Sequence, residues 1–298
     1  MKGWIIYSGT LNIKKIDDLV DSFIIEGKKL NIEIDKIKNT ELLPIYNNEG
    51  KPDLIYLKKV KEPNFIIFWD KDIFLAKHLE NMGYRLFNSS SAIDYCDDKC
   101  LMHLMLSNKN ISMPKTIISP MIFNYDNIND DYLIEVFNIF KNKVVIKEAK
   151  GSFGMQVYLI EEREAFINKI KELNKRNVRF IIQEKVEASF GKDIRVNIIG
   201  NKVVGAMLRK SSSDFRANIT QGGKGEIVVL TKEQEELALK AHKTLGLDFS
   251  GVDLLFGKDN KPILCEVNSN LNFLSFEKLW GKSFGREILK HIIGELNG

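Results

Sequence analysis

Long apolar runs are missing from this chain of 298 residues. No stretch approaches the roughly 18 consecutive apolar residues of a membrane-spanning helix, so no membrane partner is expected. The opening MKGWIIYSG holds one Lys and returns to polar sequence too soon for an export signal, which makes the cytoplasm the expected compartment. Cysteine is scarce too, at three residues. Cys96 and Cys100 fall four apart on one expected helix, and no neighbouring His or Cys completes a tetrahedral metal set; with Cys265 they read as unreactive thiols. A basic face or tail is also lacking, since 44 Lys and Arg are scattered against 40 Asp and Glu for a net +4, and no nucleic-acid partner is expected. The remaining composition, 44% hydrophobic and 28% charged, is that of an ordinary globular protein with room for two or three compact units.

The commonest phosphate-binding signature is missing as well. No GxxxxGK[ST] occurs; the GKS of Gly281 to Ser283 lacks its first glycine, position 276 being Phe, and follows no suitable strand. No Ser–His or Cys–His signature suggests covalent catalysis. Internal repeats, low-complexity tracts and long linkers are not found.

What is present alternates between strands and helices. WIIYS (Trp4 to Ser8) predicts a strand, Lys15 to Leu30 a helix, and IEIDKIK a second strand. NNEGKPD predicts a hairpin turn, FIIFW a buried strand, and Ile73 to Asn81 a helix closed at Gly83. This implies a parallel α/β domain over residues 1–94. NSSS caps one helix running through AIDYCDDKCLMHLMLSN. A strand starts near Ser112, and a helix covers about Asp130 to Phe140. KVVIKEAKGSFGMQVYLI then reads as strand, glycine-bearing loop and strand. A charged helix (Glu161 to Arg176) and RFIIQEKV complete a small central α+β domain over 95–185. In 186–298, DIRVNIIGNKVVGAMLRK predicts a hairpin at Gly200–Asn201, followed by IVVL, a helix from Thr231 to Leu245, and a last hairpin turning at Asp259–Asn260.

That last hairpin carries chemistry. Pairing residues whose numbers sum to about 519 sets Asp253 across from Glu266, with Asn268 on the same face. Two carboxylates and an amide oxygen converge, and neither strand holds a Lys or Arg to neutralise them. Burying such a pair is costly unless a cation compensates, and all-oxygen ligands select Mg²⁺ or Mn²⁺. The plainer reading is an edge hairpin with solvated acids. A magnesium site with few protein ligands calls for phosphate, and VVIKEAKGSFGMQV offers a place for it: Lys147 ends an apolar strand, and Gly151 and Gly154 open a loop whose backbone can approach an anion. Lys99 in CDDKC is weaker alone. Arg195 in DIRVNI shares a strand face with Asp193 and Asn197, Arg209 ends VVGAMLRK, and Arg216 lies in DFRAN; each guanidinium suits phosphate or carboxylate.

The order of Lys99, Lys147 with GSFG, QEKV, DIR, LRK, FRAN, VDLLF and EVN resembles the ATP-grasp superfamily. It is most similar to the RimK-type α-L-glutamate ligases and the lysine-biosynthesis carrier-protein ligases, continuously from about Asn88 to the C-terminus. The resemblance implies an ATP-grasp fold: the parallel N-terminal domain, the central α+β domain, and a C-terminal α+β domain on an antiparallel sheet. Lys99 and Lys147 would contact the phosphates of ATP, and Gly151, Ser152, Phe153 and Gly154 would form a flap over them. Gln183, Glu184 and Val186 would hold adenine, with Lys185 facing away, and Asp193 would lie near the ribose or substrate edge. Arg209 and Asn218 would face the phosphates, while Arg195 and Arg216 would lie nearer the acceptor carboxylate. Asp253, Glu266 and Asn268 would bind two Mg²⁺ ions, Mn²⁺ serving as a substitute.

The implied reaction joins a carboxylate to an amine, free or on a peptide or carrier protein, through an acyl phosphate; a homo-oligomer, dimer or tetramer, is the family's habit. Crosslinking of a ribosomally made precursor peptide and non-catalytic nucleotide binding are the alternatives. Three departures bear on the substrate. After Asn268 the chain reads Ser269-Asn270-Leu271-Asn272-Phe273 where RimK-like ligases continue with small residues, Pro and Gly. Asp70 stands where relatives often carry a basic residue, and a hairpin-like insertion surrounds IYNNEGKPDLIY.

Overall fold

The computed structural model describes all residues except 12, 124–126, 152–153, 213 and 218–222. The first layer contains β1 (Lys2–Tyr7), α1 (Lys14–Lys29), β2 (Glu33–Lys38), β3 (Leu42–Tyr46), β4 (Pro52–Tyr56), β5 (Phe65–Trp69), α2 (Ile73–Asn81) and β6 (Leu86–Phe87). Its four-stranded sheet runs in the order β2-β1-β5-β6 with every pairing parallel. The near-continuous apolar β1 and β5 are what a strand covered on both faces demands. The insertion forms a separate antiparallel hairpin of β3 and β4.

The helix expected through AIDYCDDKCLMHLMLSN is two helices, α3 (Ser90–Asp97) and α4 (Lys99–Leu106). Asp98 breaks it. Its backbone is extended and its carboxylate accepts from the N–H groups of Cys100 and Leu101 at 2.8 and 3.2 Å, so a local cap outcompetes helix propagation. Cys96 and Cys100 therefore lie on different helices. The break also turns Lys99 toward the central domain, where its N–H donates to the Ala149 carbonyl at 2.9 Å.

The central domain holds β7 (Thr116–Ile118), α5 (Asp130–Ile139), β8 (Val144–Glu148), β9 (Val157–Ile160), α6 (Arg163–Lys175) and β10 (Phe180–Glu184). Its antiparallel sheet, ordered β7-β10-β8-β9, packs one face on α5 and α6 through Phe137, Phe166, Ile146 and Ile182.

In the C-terminal region, β11 (Lys192–Ile199), β12 (Lys202–Lys210), β13 (Lys224–Ile227), α7 (Lys232–Thr244), β14 (Phe249–Phe256) and β15 (Pro262–Asn268) give a second antiparallel sheet, ordered β13-β12-β11-β14-β15. The edge strand is KGEI rather than the neighbouring IVVL. Thr231 caps α7 in a capping box with Gln234. Ile194, Val196, Ile198, Val252, Leu254 and Val267 pack on the apolar stripe of α7, which leaves the sheet's opposite face polar. The chain ends in α8 (Leu274–Trp280) and α9 (Phe284–Asn297). The GKS is the junction between them: Gly281 is a left-handed C-cap and Ser283 the N-cap of α9.

The layers are locked together by α9 returning to pack on the first layer, with Ile288, Leu289 and Ile292 beside Val20 and Phe23. Asn88 pins the same junction. Its amide oxygen accepts from the N–H groups of Asp248 and Phe249 at 2.6 and 3.2 Å, and its nitrogen donates to the carbonyls of Phe249 and Ser269, both at 3.0 Å. Among the described residues no helix is long and apolar enough to cross a membrane.

Candidate functional site

The polar face of the C-terminal sheet, the edge of the central sheet and the C-terminal ends of β1 and β5 enclose a cavity of about 460 Å³. Every described residue singled out as a site candidate from the sequence lines it. Ser152, Phe153 and Asn218 lie outside the described residues.

The metal-candidate hairpin pairs Asp253 with Glu266 and Gly251 with Asn268. Between Asp253 and Leu254 the register shifts, because Leu254 pairs with Leu264 and Cys265 is the extra residue of a bulge. The bulge turns Cys265 as well as Glu266 toward the cavity, while Leu264 and Val267 stay in the core. A lone bulge leaves no mark in the amino-acid pattern, and strict alternation had put Cys265 on the other face. Burial pushes its thiol pKa up, and Lys147 offsets this only in part.

Cations for Asp253 come from the adjoining strands. Arg195 stands opposite it on β11 and grips it with both Nε, at 2.5 Å, and Nη2, at 2.9 Å; Arg209 Nη2 from β12 approaches at 2.9 Å. Arg209 also clamps Asp193 at 2.6 and 2.7 Å. Gly251 makes the space, since a Cβ there would lie 2.4 Å from Arg195 Nη1. Burial works against the Asp253 charge, but the two guanidiniums outweigh it and hold the carboxyl below its usual range. Two arginines and two aspartates thus form an ion-pair network across three strands on the cavity wall. Arg216 is also paired, with Asp214 at 2.7 Å, and its Nη1 donates to the Gly154 carbonyl, tying the loop after β12 to the glycine loop. Gly154 has φ of 71°, a left-handed turn that favours glycine.

What stays unpaired defines the site. Lys99 is 5% exposed and its ammonium has no ion-pair or hydrogen-bond partner among the described residues; Lys147, at 8%, meets only Cys265 Sγ at 3.6 Å. Glu266 has no ion-pair or hydrogen-bond partner among the described residues, and the buried Nδ2 of Asn268 is unsatisfied. Two buried ammonium groups without a carboxylate are costly to desolvate, and an anion seated between them removes that cost. A divalent cation fits the other wall: Glu266 is free, and Asp253 accepts three bonds of the roughly four a carboxylate can take, leaving a site open.

Residues 183–186 form the hinge, the connection that leads out of β10 toward the C-terminal sheet; there the Gln183 side chain is buried and its Nε2 donates to Thr116 Oγ1 at 2.9 Å and to His103 Nε2 at 3.1 Å. His103 Nδ1 in turn donates to the Lys99 carbonyl at 2.7 Å, and burial holds the imidazole below its usual pKa. Glu184 Oε1 accepts from the Lys115 N–H at 2.8 Å. Lys185 lines the cavity too, with its ammonium paired with Glu161 at 3.0 Å and Glu187 at 3.1 Å. The Val186 N–H has no hydrogen-bond partner among the described residues. The side chains of the hinge thus brace the strand, and its backbone edge faces the cavity between Val145, Val157 and Leu255.

Three larger sheets, one parallel and two antiparallel, around a lysine-lined, oxygen-rich cleft are the architecture of an ATP-grasp enzyme. Residues 96–292 match the RimK-like ATP-grasp domain, and the chain belongs to that family of carbon–nitrogen ligases. It is 36% identical over 219 residues to the probable alpha-L-glutamate ligase of Vibrio atlanticus, covering 73% of this chain and 70% of that one. It is 33% identical over 229 residues to N-acetylaspartylglutamate synthase A of Homo sapiens, covering 76% of this chain and 56% of that protein. Its fold is similar to the crystal structure of D-alanine–D-alanine ligase from Bacillus anthracis complexed with ATP, at a TM-score of 0.74 and 18% identity, covering 99% of this chain and 97% of that one.

Replacing Lys147 with Met tests the phosphate assignment in two directions. The nucleotide-free protein should melt no lower, because a buried charge without a partner is lost. Affinity for a non-hydrolysable ATP analogue with Mg²⁺ should fall roughly 10- to 100-fold, the worth of about 1.5–3 kcal/mol for a hydrogen bond to a charged group. Calorimetric titration beside a thermal melt reads both; a lower melting temperature with unchanged affinity would make Lys147 a structural residue.

Proposed function

We propose that the protein uses ATP and Mg²⁺ to convert a carboxylate into an acyl phosphate, which an amine then opens to an amide with release of ADP and phosphate. The observation that carries this reading is the arrangement of unpaired groups: two buried ammoniums on one wall of the cavity, and a free carboxylate and an unsatisfied amide on the other. Lys99 and Lys147 hold the phosphates. The backbone of residues 184–186 meets the adenine edge, with Val145, Val157 and Leu255 against its faces.

Glu266 and Asn268, with the remaining site on Asp253, would hold two Mg²⁺ ions. Bound there, the metal neutralises charge on the transferring phosphoryl group, and Mn²⁺ would serve in its place. A carboxylate resists amines because its charge is delocalised and oxide is a poor leaving group; phosphorylation supplies a good one. No nucleophilic side chain is needed, and the protein's part is to position, neutralise and exclude water. Arg195 and Arg209 act through Asp253 and Asp193, holding both carboxyl groups in place and keeping Asp253 ionised. Arg216 draws Gly154 inward over the triphosphate. The amine is an amino acid, in keeping with the ligase and synthase names of the relatives.

Hydroxylamine provides the test. With ATP, Mg²⁺ and pooled organic acids, the protein should yield an acyl hydroxamate detectable by mass spectrometry, together with stoichiometric ADP. ADP formation without any hydroxamate, or a phosphorylated alcohol as product, would sink the acyl-phosphate reading.

A further inference from the structure

Three charged groups at the first-layer end of the cavity, Lys15, Asp70 and Lys71, are used neither by the nucleotide assignment nor by the metal assignment, and Lys71 is paired with Asp97 at 2.5 Å. Tyr7 at the end of β1 and Trp69 at the end of β5 are paired in register, so the chain leaves the sheet at adjacent points. One exit leads to Asp70. The other leads through the loop after β1 to Lys15 in the first turn of α1. Both residues line the cavity. C-terminal ends of neighbouring parallel strands are where open α/β layers receive ligands.

Asp70 is fixed but not neutralised. Its Oδ1 accepts from the N–H groups of Lys71 and Asp72 at 2.7 and 2.9 Å, and its Oδ2 has no hydrogen-bond partner among the described residues. Burial lifts its carboxyl above the usual value, and the two backbone N–H groups and the charge of Lys71 offset this only in part. Lys15 is half-buried and has no ion pair among the described residues; burial, helped by Lys278, pushes its pKa down. No ion pair joins Asp70 to Lys15, so opposite charges share one cavity and leave a gap between them.

The opposing wall is polar and unsatisfied. The amides of Asn270 and Asn272 line the cavity, and their oxygens are buried without a partner. This loop is held against Asp70 by aromatic packing: Trp69 meets Phe273 at 5.9 Å and stacks on Phe249 at 5.4 Å between ring centroids. The cost of leaving these groups unpaired falls away only when a ligand with its own donors and acceptors fills the space.

From this juxtaposition we infer that Asp70 and Lys15 are the specificity pair of the amine subsite. Asp70 takes the ammonium and Lys15 the carboxylate of one zwitterion, and the amides of Asn270 and Asn272 contact its remaining polar groups. This assignment rests on the ligase reading for the identity of the attacking group.

The test uses the full chain and the common L-amino acids, each beside its N-acetyl and its carboxamide derivative, read by thermal shift with and without ADP and Mg²⁺. At least one free amino acid should raise the melting temperature, and both of its derivatives should fail to do so. Asp70→Asn keeps the oxygen that accepts from Lys71 and Asp72 but removes the charge, so the fold should hold. That variant should lose about tenfold or more in affinity for the amino acid, and Lys15→Met should do the same, with the ADP–Mg²⁺ shift unchanged in both. Binding that survives N-acetylation, an Asp70→Asn protein that binds as the parent does, or no shift from any amino acid would overturn the assignment. Loss of the ADP–Mg²⁺ shift in the parent protein with the amino-acid responses intact would support this subsite and sink the ligase reading instead.

Discussion

Replacing Glu266 with Ala should lower Mg²⁺-dependent ADP release by at least about 10³-fold, the scale set by removing one preorganised group that stabilises transferring charge. The melting temperature should stay within a degree or so of the parent value, since surface-like substitutions that break no partner change stability little. Glu266 differs from its neighbour in this respect. Asp253 is gripped by two guanidiniums and is part of the architecture, whereas Glu266 lines the cavity with no protein partner among the described residues. Turnover by coupled ADP detection, beside a thermal melt, separates the two roles. Turnover that survives would remove Glu266 from the metal site. A collapse of stability would show that its carboxylate meets a partner inside the fold.

Replacing Arg209 with Met should do the opposite, costing about 3–5 kcal/mol of folding stability because a buried ion pair is broken from one side only. Arg209 is buried and bonded to both Asp193 and Asp253, and those two acids approach each other only because it lies between them. The cost has a definite pH dependence. In the parent protein, burial opposes the Asp253 charge but Arg195 and Arg209 hold its carboxyl below the unfolded value of roughly 3.9. Its contribution is therefore present above that value and lost as the pH falls through the lower, folded pKa. In the parent the Asp193 carboxyl already lies above its usual value, because burial outweighs the pull of Arg209; in the variant it should rise further and Asp253 with it, so that the folded state takes up protons more readily than the unfolded chain and stability falls as the pH rises. The deficit measured by urea unfolding should thus be larger at neutral than at mildly acidic pH. Adding Asp193→Asn should restore part of it. A deficit under about 1 kcal/mol would mean that water reaches the network.

Alternation along β14 and β15 is a local property, and so the pairing of Asp253 with Glu266 was legible in one dimension. The same holds for the apolar strands of the first layer and for the lysine at the end of β8, where a charge at the close of an apolar run has few places to go. The break at Asp98 was open to a sequence reading, because Asp suits an N-cap better than a helix interior; its bridge to Lys150 and the Lys99 bond to Ala149 were not, since they join distant parts of the chain. The bulge at Cys265 was hidden as well: a single slip in register changes which face a side chain occupies without changing the sequence around it.

The sequence by itself determined the class of protein, the alternating elements and the identity of the charged groups available for phosphate and metal, since these follow from local pattern and from motif order. The tertiary structure alone decided which charges cancel. Arg195 and Arg209 line the cavity where substrate contact was expected, and strand order also brings them against Asp253 and Asp193; Lys99, Lys147, Glu266, Asp70 and Lys15 line it without an ion pair among the described residues. Neutralisation depends on distances of a few ångströms between strands far apart in the chain, and no spacing along the sequence encodes that.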